Sequence, residues 1–263
     1  MAEVALSQAL SYARDLKSAY ESARAREKEL GQANERLRNG YQQSLQYALD
    51  LKRTYGRLQR AIFQSLLGLA NALEAKDPCT RGHSARVAEL ARQLALRLDL
   101  PRSTAETIAQ AALLHDLGKI GIPERILRKP GPLTEDEREI MRRHPVTGAQ
   151  IVAPLEFFDE GAVIVRHHHE RLDGSGYPDG LSGDSIPLGA RIVAVADIYD
   201  ALTSSRPYRA ALTRKEAIEL IHRESGRTLD AVVVSCLVEA LDTSAAPPEN
   251  TGSALDAAAD RSV

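Results

Sequence analysis

The chain has 263 residues, 43% hydrophobic and 27% charged, with a formal net charge of −2. This is ordinary soluble globular composition, and the charge balance argues against a cationic nucleic-acid binder. No run reaches the ~18 apolar residues of a membrane span. The start, MAEVALSQALSYARD, does not read as a secretory leader, and Cys79 and Cys236 lack the spacing of a disulfide framework or a cysteine zinc site, so a cytoplasmic protein is expected.

The first proline is Pro78, and the stretch before it, rich in Ala, Leu, Gln, Glu and Arg, predicts helix. Steps of three and four from Leu6 pass through Ala9, Ala13, Leu16, Tyr20, Ala23, Glu27, Leu30, Asn34, Leu37 and Tyr41. They continue through Ser44, Ala48, Leu51, Tyr55, Leu58, Ile62 and Ser65 to Leu69. Fifteen of these 19 positions are apolar, Ala or Tyr, and the register never slips. A sustained 3.5-residue repeat is the pattern of a coiled coil. Ala9–Tyr20 and Ser44–Tyr55 share seven of twelve residues at an offset of 35, which preserves that seam. Asn34 on the seam suits a parallel dimer, because a buried Asn fixes register. Two other readings are a long helix packed on its own domain and a hairpin turning at Asn39-Gly40.

From residue 77 to 242 the pattern is globular and mostly helical, giving three segments: 1–76 helical, 77–242 globular, and a disordered tail over 243–263 rich in Ala, Pro, Ser and Asp. Ser103–Glu106, Thr134–Glu137 and Thr213–Glu216 read as capping boxes that open helices. Pro145 suits a first helical turn. Ile192–Ala196 fits a short strand or a buried helix, and its apolar flanks favour helix. Gly118–Leu133 and Asp173–Gly189 read as loops, the second long enough to suggest function.

Six of the seven histidines fall between His83 and His169. His115-Asp116 directly follows an apolar helix, His144 follows the predicted helix 135–143, and His167–His169 with Glu170 follow Ala162–Val165. Asp197 and Asp200 close a Val/Ala-rich stretch. Charged and polar groups at the edge of a core need compensation, and a metal ion supplies it. His and Asp without Cys suggest a hydrolytic di-metal site. Adjacent His115 and Asp116 can share such a site if the carboxylate bridges two ions. Lys119, one turn on, could meet a phosphate oxygen.

HDLGK (115–119) followed by HHERLDGSGYP (168–178) resembles the HD-GYP domain, a branch of the HD metal-dependent phosphohydrolases. The stretches 77–87, 122–134, 180–202 and 204–212 resemble it too, so the likeness covers about Leu66 to Leu241. The resemblance implies an all-α HD-type domain, preceded here by the coiled-coil-like helix, and a phosphodiesterase acting on cyclic di-GMP. Carried over by residue, His83, His115, Asp116 and Asp197 would bind one metal. Asp116 would bridge to a second, completed by His144, His168 and His169. Asp116 and Lys119 would carry the catalysis, with Lys119 on the substrate phosphate, and Arg206 and Arg209 would contact the dinucleotide. The loop Asp173, Gly174, Gly176, Tyr177, Pro178 is the family signature, tied to site shape and partner contact.

Some members carry a glutamate at the position of Cys79 that completes a third metal site, so two divalent ions are expected here. Iron or manganese is implied first, with zinc, magnesium and nickel as alternatives. His167 and His222 match no ligand position. The product would be a linear dinucleotide, cut further to GMP in some members. Two other readings stand beside this one: an HD phosphohydrolase for another nucleotide, and a weakly active signalling scaffold, against which the complete ligand set argues. The expected partners are a second copy through the N-terminal helix and a sensor or diguanylate-cyclase-type protein, with neither nucleic-acid binding nor membrane insertion.

Overall fold

The computed structural model describes residues 1–76, 82–205 and 210–244. Cys79, Arg206, Arg209 and most of the tail lie outside them. The described residues are helical, with no strand and one isolated bridge between Ser225 and Leu229. No helix among them is long and apolar enough to cross a membrane. The chain divides into two compact units, Met1–Ile62 and a second beginning at Phe63.

Helix α1 spans Ala2–Lys76 without interruption, so the chain does not turn at Asn39-Gly40. Within the first unit no residue is buried, and seam residues such as Leu6, Leu16, Tyr20, Leu30, Leu37, Tyr41 and Leu51 are all exposed. Local side-chain pairs support the helix, among them Gln43 to Tyr47 at 3.0 Å and Gln46 to Asp50 at 3.1 Å.

The second unit holds the last turns of α1 and nine further helices among the described residues: α2 (His83–Arg97), α3 (Arg102–Leu114), α4 (Glu124–Leu127), α5 (Glu135–Met141), α6 (His144–Val152), α7 (Asp159–His167), α8 (Leu188–Thr203), α9 (Arg214–Glu224) and α10 (Ala231–Ser244). α2 packs mainly on α3 and α8, and α7 packs on α3 and α6. Val87, Ala91 and Leu94 from α2 meet Ile108, Ala111 and Leu114 from α3 in one core. That core also takes Ile164 and Val165 from α7, and Val233 and Leu237 from α10. Ala70 of α1 is buried in it, and Phe63 meets Phe158 edge to face with centroids 6.0 Å apart.

α8 is the central helix. Ala190 and every residue from Ile192 to Ala196 are buried. A helix enclosed on all sides loses its 3.6-residue polarity pattern, which is why this run also fits a strand on sequence.

The boxes at Thr134 and Thr213 form as read, each threonine accepting the Glu N–H three residues on. The box at Ser103 does not: α3 begins at Arg102 with Pro101 as its cap. The extended backbone of Pro101 starts the helix before Ser103 can act, and Ser103 lies inside it. His144 does not follow a helix reaching Arg143, because α5 stops at Met141 and His144 opens α6, with Pro145 in its first turn. The stretch 118–133 is more ordered than a loop, since it contains part of a 3-10 turn, Leu117–Gly121, and all of α4.

Candidate metal centre

Seven side chains converge from five places in the fold. His83 opens α2, and His115 and Asp116 follow α3. His144 opens α6, His168 and His169 follow α7, and Asp197 lies on α8. Three groups offer atoms within 4.8 Å of one another: His83, His115 and Asp197; His144, His168 and His169; and His115, Asp116 and His168. The third group draws one residue from each of the other two and adds Asp116. Its carboxylate therefore stands between two halves, as a bridging group requires.

Backbone geometry fixes which ring nitrogen faces inward. His115 Nδ1 lies 2.6 Å from the Ala112 carbonyl, His144 Nδ1 2.9 Å from that of Met141, and His168 Nδ1 2.7 Å from that of Val165. Each histidine spends its N–H on a carbonyl freed at the end of a helix. Nε2 is then left as a bare acceptor aimed at the centre. His144 Nε2 and His168 Nε2 lie 3.3 Å apart. Burial pushes both imidazoles below their usual pKa, that of His144 to about 4, so neither ring supplies a second proton. Two buried lone pairs facing each other at this distance call for a cation between them. The residues present thus fit a metal.

His83 is held differently. Its Nδ1 faces Asp200 Oδ2 at 2.7 Å and its Nε2 faces Asp197 Oδ1 at 3.1 Å. Burial opposes its charge, but the two carboxylates outweigh burial and raise it to about 9. Asp200 is itself gripped by Arg86, with Nε at 2.6 Å from Oδ1 and Nη2 at 2.9 Å from Oδ2. Asp116 and Asp197 resist burial and stay ionised well below the usual carboxylate range. Lys119 lowers Asp116, and His83 lowers Asp197. Lys119 Nζ lies 2.6 Å from Asp116 Oδ2.

Gly118 of HDLGK packs so closely that a Cβ there would overlap the His144 carbonyl and Gly148 N. This contact seats the turn carrying Asp116 against the start of α6. The loop 173–181 is anchored by buried Glu170, whose carboxylate accepts the N–H groups of Asp179 at 2.7 Å and Leu181 at 3.1 Å. Gly176 lies directly on the Glu170–Arg171 backbone. Tyr177 is thereby placed over His169, with ring centroids 4.8 Å apart and an interplanar angle of 33°. Asp173 caps Ser175 in a local turn, and Gly174 takes positive φ. His167 has Nδ1 2.9 Å from the Val163 carbonyl and Nε2 2.9 Å from Asp179. A groove opens on the site, lined among others by His169, Tyr177, Asp197, Ile198, Leu220 and Arg223.

Sequence reading nominated all seven converging residues. It assigned no role to Asp200 or Glu170. Asp200 is one turn beyond Asp197 on the same helix, and that i,i+3 pair of carboxylates was the available signal.

A family model described as HD domain matches residues 68–233. The chain belongs to the HD-domain family, and HDLGK with HHERLDGSGYP put it in the HD-GYP branch. It is similar to the cyclic di-GMP phosphodiesterase response regulator RpfG of Xanthomonas campestris, at 41% identity over 217 residues, covering 82% of this chain and 57% of that one. It is 40% identical over 170 residues to a 3'3'-cGAMP-specific phosphodiesterase of Vibrio cholerae, covering 65% of this chain and 37% of that one. The solved structure of a cyclic GMP-AMP specific phosphodiesterase from V. cholerae shares the fold, with a TM-score of 0.54 at 19% identity over 68% of this chain and 48% of that one. The chain spans about half the length of the curated relatives it matches.

Proposed function

We propose that the chain is a metal-dependent phosphodiesterase that hydrolyses cyclic di-GMP to the linear dinucleotide, with GMP as a further product. The observation that carries this reading is the pair of bare, buried Nε2 atoms of His144 and His168 at 3.3 Å, beside the Asp116 carboxylate. His83, His115, Asp116 and Asp197 would hold one divalent ion, and His144, His168 and His169, with Asp116 shared, the other. Iron or manganese suits this donor set first. Two such ions, when bound, lower the pKa of a water toward neutrality and polarise a phosphate.

The chain's own residues do the rest. Asp116 stays ionised because Lys119 beside it favours its charge. Lys119 is an ammonium at the edge of the site, where it can meet a phosphate oxygen. Tyr177 and the apolar side chains Ile198 and Leu220 give the groove surfaces suited to bases. Arg206 and Arg209 are proposed to bind the dinucleotide phosphates.

Product analysis of cyclic di-GMP incubated with protein loaded with manganese or ferrous iron tests the reading. The expected product is the linear dinucleotide. A second substrate, 3'3'-cGAMP, belongs in the same panel, because a relative of nearly equal identity carries that specificity in its name. We further propose a cytoplasmic homodimer formed through the heptad seam of residues 6–62, whose leucines and tyrosines are exposed within their own unit. The seam could instead dock a sensor or a diguanylate-cyclase-type protein. Light scattering at micromolar concentration reads the difference.

A further inference from the structure

Helix α2, which begins at His83, has no cap of its own. Its N-cap is Gly82, in the left-handed region at φ 68°, with no side chain to offer. The acceptor comes from another helix. Glu74, in the last turn of α1, takes the Gly82 N–H on Oε2 at 2.8 Å and the Ser84 N–H on Oε1 at 2.9 Å. One carboxylate therefore spans the residue between them, His83. Hydrogen bonds to an ionised acceptor at a helix N-terminus are among the stronger ones a backbone makes. The turn that carries Glu74 is itself fixed, since Ala70, one turn earlier, is buried in the core.

We propose that Glu74 is a positioning residue for the metal centre, holding the His83 backbone where its Nε2 can face Asp197. The inference rests on the metal-site reading above. His83 is then held twice, its ring by Asp200 and its main chain by Glu74. The second hold belongs to α1, so the order of the last α1 turn and metal occupancy are thermodynamically linked. Each stabilises the other by the same factor.

The test uses the full chain. Manganese binding is titrated by calorimetry and by the electron paramagnetic signal of the ion, and amide exchange is followed with and without metal. Wild type is expected to bind two ions and, on binding, to gain exchange protection in both 70–76 and 82–86. In Glu74→Ala one ion should bind about 10-fold more weakly, as loss of an orienting group typically produces. The metal-dependent protection of 70–76 should vanish. Glu74→Gln keeps the side chain's volume and one acceptor oxygen, so it should fall between the two and covers the case of a poorly folded alanine variant. Thr213→Ala removes a cap of similar kind from α9 and should leave metal binding unchanged. Wild-type metal binding with unchanged affinity in both Glu74 variants overturns the proposal alone, as does an equal loss in Thr213→Ala. A wild-type protein that binds no metal overturns the metal-site reading and this inference with it.

Discussion

His83 and Asp200, 117 residues apart, meet at 2.7 Å between Nδ1 and Oδ2. The other nitrogen of the same ring faces Asp197, one turn earlier on α8, at 3.1 Å. One helix face thus grips both edges of one imidazole. Asp200 fixes the orientation of the ring and, with a metal on Nε2, would fix its tautomer as well, as carboxylates behind metal-bound histidines commonly do. Asp200→Asn is expected to weaken metal binding about 10-fold with little change in helix content. Asp200→Ala also leaves His83 Nδ1 unpaired at a cost of about 2 kcal/mol. Titration calorimetry and urea unfolding of the two variants check both expectations. Wild-type metal affinity in the asparagine variant would remove the orienting role.

Gly118 should tolerate no side chain. Its Cβ would overlap the backbone of α6, which cannot withdraw as a side chain can. Gly118→Ala is expected to destabilise by about 3 kcal/mol and to lower metal affinity, because the displaced element begins with His144. Gly40→Ala has the opposite sign. It lies in α1 with nothing near its Cβ position and should add about 0.5–1 kcal/mol through helix propensity. Thermal unfolding of both variants reads the contrast.

What could be read from the sequence followed chemistry more closely than geometry. His and Asp side chains at the ends of apolar helices need a compensating charge, which marks six of the seven converging residues together with His167, Glu170 and Asp200; the HD-GYP resemblance narrows that set and adds His83. Boundaries fared less well. The Ser103 box lost to Pro101, which starts α3 two residues earlier, and His144 moved from following a helix to opening one. Glu74 acts through Gly82 and Ser84, which come to it only once the chain has folded, so no local spacing marks its role, whereas for Asp200 the only local mark is its i,i+3 spacing from Asp197. Ile192–Ala196 remained ambiguous for a physical reason, since a helix buried all round has no amphipathic period.

The metal-free protein should be most stable near neutrality. Burial lowers His144 to about 4 and His169 to about 3, and holds His168 well below its usual value. Unfolded, each titrates near 6.5, so below that pH the unfolded chain binds more protons and stability falls as pH drops toward 4. The slope is up to about 1.4 kcal/mol per pH unit for each such histidine. His83 works in the other direction. Raised to about 9, its contribution is complete below 6.5 and is lost as pH climbs through 9. Urea unfolding of chelator-treated protein from pH 5 to 9 should trace a maximum between 6.5 and 7.5. A curve still rising at pH 9 would contradict the assignment of charge to His83.

The signature loop depends on one buried carboxylate. Glu170 accepts the N–H groups of Asp179 and Leu181 and so holds Tyr177 over His169. Hydrogen bonds to a charged acceptor contribute about 1.5–3 kcal/mol. Glu170→Gln keeps one acceptor oxygen but turns an N–H donor toward a second N–H, so one of the two bonds is lost. Amide exchange at Asp179 or Leu181 should quicken by roughly 10-fold or more. Manganese affinity should stay near that of wild type, because six of the seven converging side chains, all but His169, are held by contacts outside the loop. With a cyclic dinucleotide as substrate, KM should rise more than kcat falls, since the displaced groups line the groove and the Asp116 cluster is intact. Equal losses in metal binding and in loop protection would instead place Glu170 within the support of the metal centre itself.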